Sequence, residues 1–104
     1  MSKLIQISTT VAKRTDAARI AKVLAERKLS ACTQIIGPIT SVYRWKGKLR
    51  KSKEWLCLIK TTQQRYKAIE KTIKEIHPYR LPEIIAVSIV KGSSEYLEWM
   101  SREV

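Results

Sequence analysis

The segment over residues 77–83 brings together most of the side chains in this chain that could do chemistry. It reads His-Pro-Tyr-Arg-Leu-Pro-Glu and holds the only histidine and two of the three prolines. Each proline fixes its own φ angle and moves the residue before it out of the helical region. An imidazole, a phenol and a carboxylate on so stiff a bridge could bind a ligand or transfer a proton. The segment therefore predicts one wall of a functional site.

Hydrophobic periodicity on both sides of this bridge predicts four strands, two long helices and a terminal helix. The first half of the chain is expected to form a strand over residues 4–11, a helix from Thr15 or Asp16 to about residue 28, and an extended segment over residues 30–45 that is broken near Gly37-Pro38. The second half is expected to form a strand over residues 49–61, a helix from Thr61 or Thr62 to Ile76, and a buried strand over residues 84–90. A last helix should follow Gly92, with Tyr96, Leu97, Trp99 and Met100 facing inward. A hairpin turn is predicted at Trp45-Lys46-Gly47-Lys48.

This element order, βαββαβ with a C-terminal helix, indicates an α+β fold of the ferredoxin-like type. Right-handed crossovers place both long helices on one face of a four-stranded antiparallel sheet, so the other face must be wet or covered. The two central strands are too long and too apolar for one small sheet. We therefore expect an oligomer in which the long central β-hairpin wraps a neighbouring copy.

The length of 104 residues predicts a single domain over residues 1–104. The first residues enter the strand pattern without the apolar core and cleavage site of a signal peptide. No apolar run approaches the roughly 18 residues of a membrane span. We expect a soluble, cytoplasmic protein without a membrane partner.

The cysteine and histidine content supports metal chemistry only weakly. Cys32 and Cys57 lie in apolar, strand-like segments without CxxC spacing, and we expect both to be buried, reduced thiols. Together with one histidine they complete no standard zinc site.

The charge balance is strongly basic. Twenty-one Lys and Arg against nine Asp and Glu give a net charge of +12, which attracts polyanions, at least at low salt. The basic side chains are dense over residues 44–53, where Glu54 is the only acidic residue nearby. The default interpretation of such a run is a solvated face.

Several motifs, in the same order along the chain, resemble the CutA family of divalent-cation tolerance proteins. They are the bridge over residues 77–83, Ala31-Cys32 followed by Ile35, residues 41–48, Lys60-Thr61, and Tyr96-Leu97 followed by Trp99. The resemblance covers nearly the whole chain. It implies a PII-like homotrimer associated with tolerance of metals such as copper, which is not an enzyme and which binds a small ligand, an anion or a divalent metal in clefts between subunits.

The resemblance also implies the residues of the cleft. They are Cys32, Tyr43, Trp45, Lys60, His77, Tyr79 and Glu83, with Tyr96 and Trp99 closing the cleft and with His77 and Cys32 as metal ligands. Structural alternatives stand beside these roles. Lys60 and Glu83 could form an ion pair, His77 could be attracted to the carbonyl end of a helix, and the aromatic rings could form the core of an interface.

The chain departs from the family pattern at two places. Ser8 and Ile76 stand where some relatives have a cysteine and a second histidine, and neither side chain is a good copper ligand, so the expected copper binding is weak. In addition, the central hairpin is basic, whereas family members tend to carry acidic residues there.

Two other classes of protein share the predicted topology. An RNA-recognition domain stacks bases on aromatic residues in a pattern that includes phenylalanine, and this chain has none. Binding of nucleic acid or another polyanion through the basic charge remains the alternative function. An enzyme of the acylphosphatase type would use Arg14 in a phosphate-binding loop, but residues 10–14 lack a glycine to shape that loop. No nucleophile–base set suggests catalysis.

Overall fold

The computed structural model describes residues 3–104. Met1 and Ser2, at the start of the segment whose pattern argues against a signal peptide, lie outside the described residues. The elements are β1 (Leu4–Val11), α1 (Arg14–Glu26), β2 (Cys32–Trp45), β3 (Lys48–Thr62), a 3-10 turn (Gln63–Arg65), α2 (Tyr66–Ile76), β4 (Ile85–Ser88) and α3 (Ser94–Arg102). The first strand has the predicted bounds, and the other elements begin and end within a few residues of the predicted positions.

The four strands form one antiparallel sheet in the order β2-β3-β1-β4. Strands β3 and β1 are central, and β2 and β4 are the edges. This is the ferredoxin-like α+β arrangement that the order of elements predicts, with α3 added at its end.

The hydrophobic core lies between the sheet and the two long helices. Every second side chain of β1 and β3 faces the helices, so that Ile7 and Ile59, which pair across the two strands, are both fully buried. The helices contribute the buried Ile20 and Leu24 from α1 and Ile69 and Ile73 from α2. Full burial of such a side chain stabilises the fold by roughly 1.5–3 kcal/mol. The apolar period of each element therefore fixes which face of the sheet is covered.

The predicted cap of the first helix, at Thr15 or Asp16, is wrong. Of the two residues predicted to cap the second helix, Thr62 does stand at the N-cap of the 3-10 turn that leads into α2, but it makes no side-chain cap hydrogen bond. Helix α1 begins earlier, after Lys13, whose carbonyl accepts the first helical N–H groups without any side-chain cap. At the second helix, β3 stays extended through Thr62, which pairs with Leu4, and the 3-10 turn follows. The Thr61 hydroxyl donates instead to the carbonyl of Leu29, at 2.6 Å. Strand pairing therefore outweighs the local capping preference.

Strands β2 and β3 extend beyond the rest of the sheet as a two-stranded ribbon, residues 39–54. Strand β1 pairs with β3 only as far as Trp55, so the pairs from Ile39–Glu54 to Trp45–Lys48 have no third strand beside them. Ribbons of two strands are marginally stable on their own. The overhang thus agrees with the predicted long central hairpin and leaves much of its surface uncovered.

The tip and the base of the ribbon were both predicted. Lys46 and Gly47 at the tip have positive φ angles of 53° and 74°, as a type I′ hairpin turn requires. The predicted break at Gly37-Pro38 is confirmed as a shift of register between Ile36 and Ile39.

The sheet face opposite α1 and α2, which we call the open face, is only partly covered. Helix α3 lies at one end of it, where the Lys60 ammonium stands 5.8 Å from the Tyr96 ring centre. Elsewhere this face exposes the apolar side chains of Ile36 (47%), Ile85 (55%) and Val87 (57%). These residues lie on the two edge strands of one face, and several exposed apolar side chains on one face are consistent with an interaction surface.

Three burial predictions need correction on this face. The strand expected to be buried over residues 84–90 is the short β4, whose four residues are all exposed. Since β4 is an edge strand bonded only to β1, no helix shields its open-face side. Tyr96, expected to face inward, is 41% exposed, and Cys32, expected to be buried, is half-buried, whereas Cys57 is fully buried as predicted.

Within the described range, residues 3–104, no helix combines the length and the apolar character needed to cross a membrane.

Candidate functional site

A cleft of about 620 Å³ lies where the base of the ribbon meets the bridge between α2 and β4. The volume is within the range of small-molecule sites. Its lining residues are Ser41, Val42, Tyr43, Trp45 and Glu54 from the ribbon, Thr10 from β1, and Tyr79, Arg80, Leu81 and Glu83 from the bridge. The bridge therefore forms one wall of this cleft and the hairpin supplies the opposite wall, while a functional role of the bridge stays a prediction.

Glu54 and Tyr79 join the two walls of the cleft. The Tyr79 hydroxyl donates to Glu54 Oε2 at 2.7 Å. Only 8% of Glu54 is exposed, and the single ion pair within residues 3–104 is that between Lys67 and Glu70. Burial, and then the hydrogen bond to the carboxylate, raise the pKa of Tyr79, so the phenol stays protonated and remains a donor. A nearly buried carboxylate that forms no salt bridge within residues 3–104 is the main electrostatic feature of this cleft.

His77 holds the bridge against the sheet. It follows α2 directly with extended φ and ψ of −73° and 132°, as Pro78 requires of the residue before it. Its Nε2 lies 2.8 Å from the carbonyl oxygen of Thr10, and its Nδ1 accepts the backbone N–H of Tyr79 at 3.0 Å. Because Nδ1 accepts, Nε2 carries the proton and donates to Thr10. The imidazole is therefore neutral, and the carbonyl it binds belongs to β1 rather than to the end of a helix.

Burial lowers the pKa of His77, although the hydrogen bond to Thr10 and the charges of Asp16 and Glu54 oppose the shift. The folded state thus resists protonation more than the unfolded state, whose histidine pKa is about 6.5. We expect the free energy of unfolding, at fixed protein concentration, to be greatest above about pH 6.5 and to fall as the pH drops towards the folded pKa, by at most about 1.4 kcal/mol per pH unit. Urea titrations between about pH 7.5 and 5.5 would measure this.

The control for this prediction is His77→Gln, which has no group titrating in the window. Its unfolding free energy should be lower than that of the wild type but nearly flat between about pH 7.5 and 5.5, since ordinary carboxylates titrate below that range. If the unfolding free energies of the two proteins fell in parallel as the pH dropped, a group other than His77 would be the cause of the lost stability.

The remaining predicted site residues form a second group, at the other end of the open face. Cys32 pairs with Lys60 across β2 and β3, and the Tyr96 and Trp99 rings lie 5.4 Å apart on α3. The Lys60 ammonium donates to the Gln34 side chain at 2.7 Å. Within one chain the nine predicted residues thus fall into two groups. Tyr43, Trp45, Tyr79 and Glu83 line the cleft, and His77 holds the bridge that forms its wall. The other four belong to this second group.

The ion pair considered between Lys60 and Glu83 does not form within the chain. Lys60 is occupied by Gln34, and Glu83 accepts a hydrogen bond from the Ser8 hydroxyl at 3.4 Å. The strand register explains this, since Lys60 pairs with Gln6, two residues away from Ser8.

The two residues expected to bind metal are also apart in one chain. Cys32 pairs with Lys60, which pairs with Gln6, whereas His77 binds Thr10, four residues further along β1. At about 3.3 Å per residue this separates them by roughly 13 Å along the strand direction alone. Within residues 3–104 no group of three or more His, Cys, Asp and Glu side chains could hold a metal ion. Residues 3–104 of one chain therefore lack the donor set that copper prefers.

Sequence reasoning missed the central residue of the cleft, Glu54. Its signal was an acidic residue interrupting a basic run, at an alternate position that faces the same side of the ribbon as Tyr43 and Trp45. Thr10, Ser41, Arg80 and Leu81 were missed as lining residues too, because only the three-dimensional crossing of bridge and ribbon brings them together.

The chain matches the family model described as CutA1 divalent ion tolerance protein over residues 5–103. It is 42% identical over 91 residues to the divalent-cation tolerance protein CutA of Thermus thermophilus, with 88% of each chain covered. It is 43% identical over 86 residues to the CutA homolog of Xenopus laevis, with 83% of this chain covered. It spans only 57% of the length of that relative, and 48% of mouse CutA.

Solved structures of the same family have the same fold. The crystal structure of CutA from Xylella fastidiosa matches with a TM-score of 0.95 at 37% identity, covering 99% of both chains. That of CutA1 from Oryza sativa matches with a TM-score of 0.96 at 35% identity, covering 99% of this chain and 94% of the other. The four-stranded sheet with three helices is therefore the fold of those proteins.

Proposed function

Because this chain belongs to the CutA1 divalent ion tolerance family, we propose that it is a non-enzymatic binding module made of three copies of itself. The apolar side chains of Ile36, Ile85 and Val87 on the open face support this assembly. Covering them removes apolar surface from water, and the uncovered ribbon is long enough to reach a neighbouring copy. Self-association would then stabilise a ribbon that is marginal alone.

The ligand site of this module is the cleft beside Glu54, which a neighbouring copy completes at the interface between subunits (the seam). Cleft residues Tyr43 and Trp45 are about 40% exposed, so a second chain can close over them. The Glu54 carboxylate is nearly buried and forms no salt bridge within the described residues. Glu83 and Arg80 line the same cleft, so two carboxylates stand against one guanidinium among its lining residues. The cleft therefore favours a small cationic ligand, such as a divalent metal ion. A PII-like signalling role would follow if that ligand alters the contact between copies.

Copper fits this site poorly from one chain alone. Both nitrogens of His77 are already bound to backbone groups, and Cys32 lies at the far end of the open face. The cleft offers carboxylate, phenol and hydroxyl oxygens, which suit hard cations better than Cu²⁺. We therefore propose divalent cations as cargo bound at a seam, with the missing ligands supplied by another copy.

We expect calorimetric titration to give a dissociation constant for Cu²⁺ in the micromolar range or weaker, as about −8 kcal/mol of binding would give. Glu54→Gln should weaken binding of Cu²⁺ or Zn²⁺ at least tenfold, because it removes the buried charge but keeps an oxygen to accept from Tyr79. The matched control is Glu98→Gln, an exposed carboxylate on α3, which should bind as the wild type does.

Calorimetric titrations of His77→Ala and Cys32→Ser with the same metal ions show whether these two side chains bind the metal or only stabilise the fold. Nucleotides, injected in the same experiment, test for an anionic ligand instead. A nanomolar constant for Cu²⁺ that disappears in His77→Ala would contradict the assignment to Glu54. Tight nucleotide binding with no metal binding would contradict the preference for cations.

A further inference from the structure

The two sides of the ribbon carry different chemistry. Residues that pair across β2 and β3 face the same side. One side holds the cleft residues Tyr43 and Trp45, opposite Arg50 and Lys48. The other side, which we call the outer side, faces the same way as the helices. It consists of Thr40, Val42 and Arg44 from β2 and Leu49, Lys51 and Lys53 from β3.

The basic residues of the outer side form a regular row. Lys53, Lys51 and Arg44 occupy every second position along the ribbon, so neighbours are separated by about 7 Å. Arg14, at the start of α1, continues the row by standing 5.8 Å over the ring of Trp55, the next residue on this side. The row thus holds four cations on one side of the molecule.

The row carries uncompensated charge. All four side chains are exposed, and none of them takes part in an ion pair within residues 3–104. The only polar contact of these side chains among the described residues is that of Arg44 with the carbonyl of Gly47, at 3.4 Å. The chain as a whole has a net charge of +12, so its overall field has the same sign as the field of the row.

We propose that the outer side of the ribbon binds the phosphate backbone of double-stranded DNA. A row of Lys and Arg gains binding free energy by releasing counterions from the duplex. A two-stranded β-ribbon is one of the few protein elements narrow enough for the major groove of B-DNA. Contacts of this kind fix the position of the protein without reading sequence.

An anionic membrane is a weaker candidate for the same surface. Membrane-binding surfaces combine basic side chains with a broad apolar face that enters the acyl boundary. The outer side exposes only two aliphatic side chains, Val42 and Leu49, and its aromatic residue Trp55 is half-buried beneath Arg14. The exposed rings of Tyr43 and Trp45 are on the opposite side.

The DNA site does not depend on the proposed ligand or assembly. The open face and the cleft lie on one side of the sheet, and the row of cations lies on the other. Copies that cover the open face would leave the outer side in solvent, so both functions could operate in one molecule.

The test is fluorescence anisotropy with a labelled, mixed-sequence DNA duplex, for the full chain between about 50 and 200 mM salt. The variant Lys51→Gln with Lys53→Gln removes two charges and keeps the Arg44 contact at the tip. The matched control, Lys71→Gln with Lys74→Gln, removes two exposed charges from α2. We expect the ribbon variant to bind roughly tenfold more weakly or worse at about 100 mM salt, and its slope of log K against log salt to be shallower by about two. The control should stay within about threefold of the wild type.

Three outcomes would overturn the proposal. Equal weakening of both variants would mean that binding follows net charge rather than the ribbon. Absence of duplex binding by the wild type near 100 mM salt would exclude the site. Tighter binding to phosphatidylserine vesicles than to the duplex, lost in the ribbon variant, would assign the row to membranes. Thermal melts of both variants, matched to the wild type, exclude unfolding as the cause.

Discussion

An Ile85→Lys variant should behave as a single chain of 12.0 kDa in light scattering, whereas the wild type should have three times that mass. Ile85 is 55% exposed on the open face, on the edge strand β4. In the proposed trimer this position is covered by another copy. An ammonium group buried there without a partner costs several kcal/mol in each of the three interfaces. The net charge of +12 on each chain adds further repulsion.

The matched control for this prediction is Leu49→Lys. Leu49 is even more exposed, at 71%, but it lies on the outer side of the ribbon. This variant should keep the mass of the wild type. A wild type that remains a single chain in dilute buffer would refute the assembly and the seam together. Dissociation of both variants would mean that added charge, rather than the open face, controls association.

Gly37→Ala should lower the free energy of unfolding by about 1–3 kcal/mol and weaken ligand binding in the cleft. A Cβ at this position would lie 2.5 Å from the Trp55 ring and 3.2 Å from the carbonyl oxygen of Glu54. The ring is packed beside the core beneath Arg14, and a backbone carbonyl cannot move without shifting β3. Such a shift displaces Glu54 from Tyr79, so stability and binding should fall together. Urea denaturation at fixed protein concentration and calorimetry measure the two effects.

The chain offers the same substitution in a tolerant place. At Gly92 an added Cβ would meet only the side chain of Leu97, with its closest methyl group at 2.9 Å. A leucine methyl can rotate away, so Gly92→Ala should cost less than about 1 kcal/mol and leave ligand affinity unchanged. Equal destabilisation by the two substitutions would show that the contact with Trp55 is not the constraint.

Elements set by apolar period and turn chemistry could be predicted from the sequence. Strand β1 alternates between core and open face over its whole predicted length, and the Gly47 turn needs a positive φ that few residues tolerate. The bridge was predictable because Pro78 restricts His77 to extended angles. These signals are local, and the folded chain obeys them.

Features that depend on strand pairing could not be predicted in the same way. Thr62 precedes the 3-10 turn as expected of a cap, but it is still paired with Leu4 at the end of β3 and makes no side-chain cap hydrogen bond. The ion pair considered between Lys60 and Glu83 does not form within one chain, where the two side chains have different partners.

The cleft was predictable only in part. Tyr43, Trp45, Tyr79 and Glu83 were assigned from the family resemblance, and the fold brings them together. Glu54 was not assigned, because an acidic residue in a basic strand gives no local sign that a tyrosine from a distant segment will bind it.

The alternation along the ribbon has a consequence for how its length can vary. The cleft rings of Tyr43 and Trp45 lie on one side of the ribbon, and Arg44, Lys51 and Lys53 lie on the other, only because the turn at Lys46-Gly47 sets their parity. Inserting or deleting one residue in either strand would exchange the two surfaces beyond that point, turning lysines towards the cleft and rings towards solvent. Changes in multiples of two, shared by both strands, would preserve the sorting. The two strands of this hairpin can therefore lengthen or shorten together only by an even number of residues, whatever residues occupy the tip.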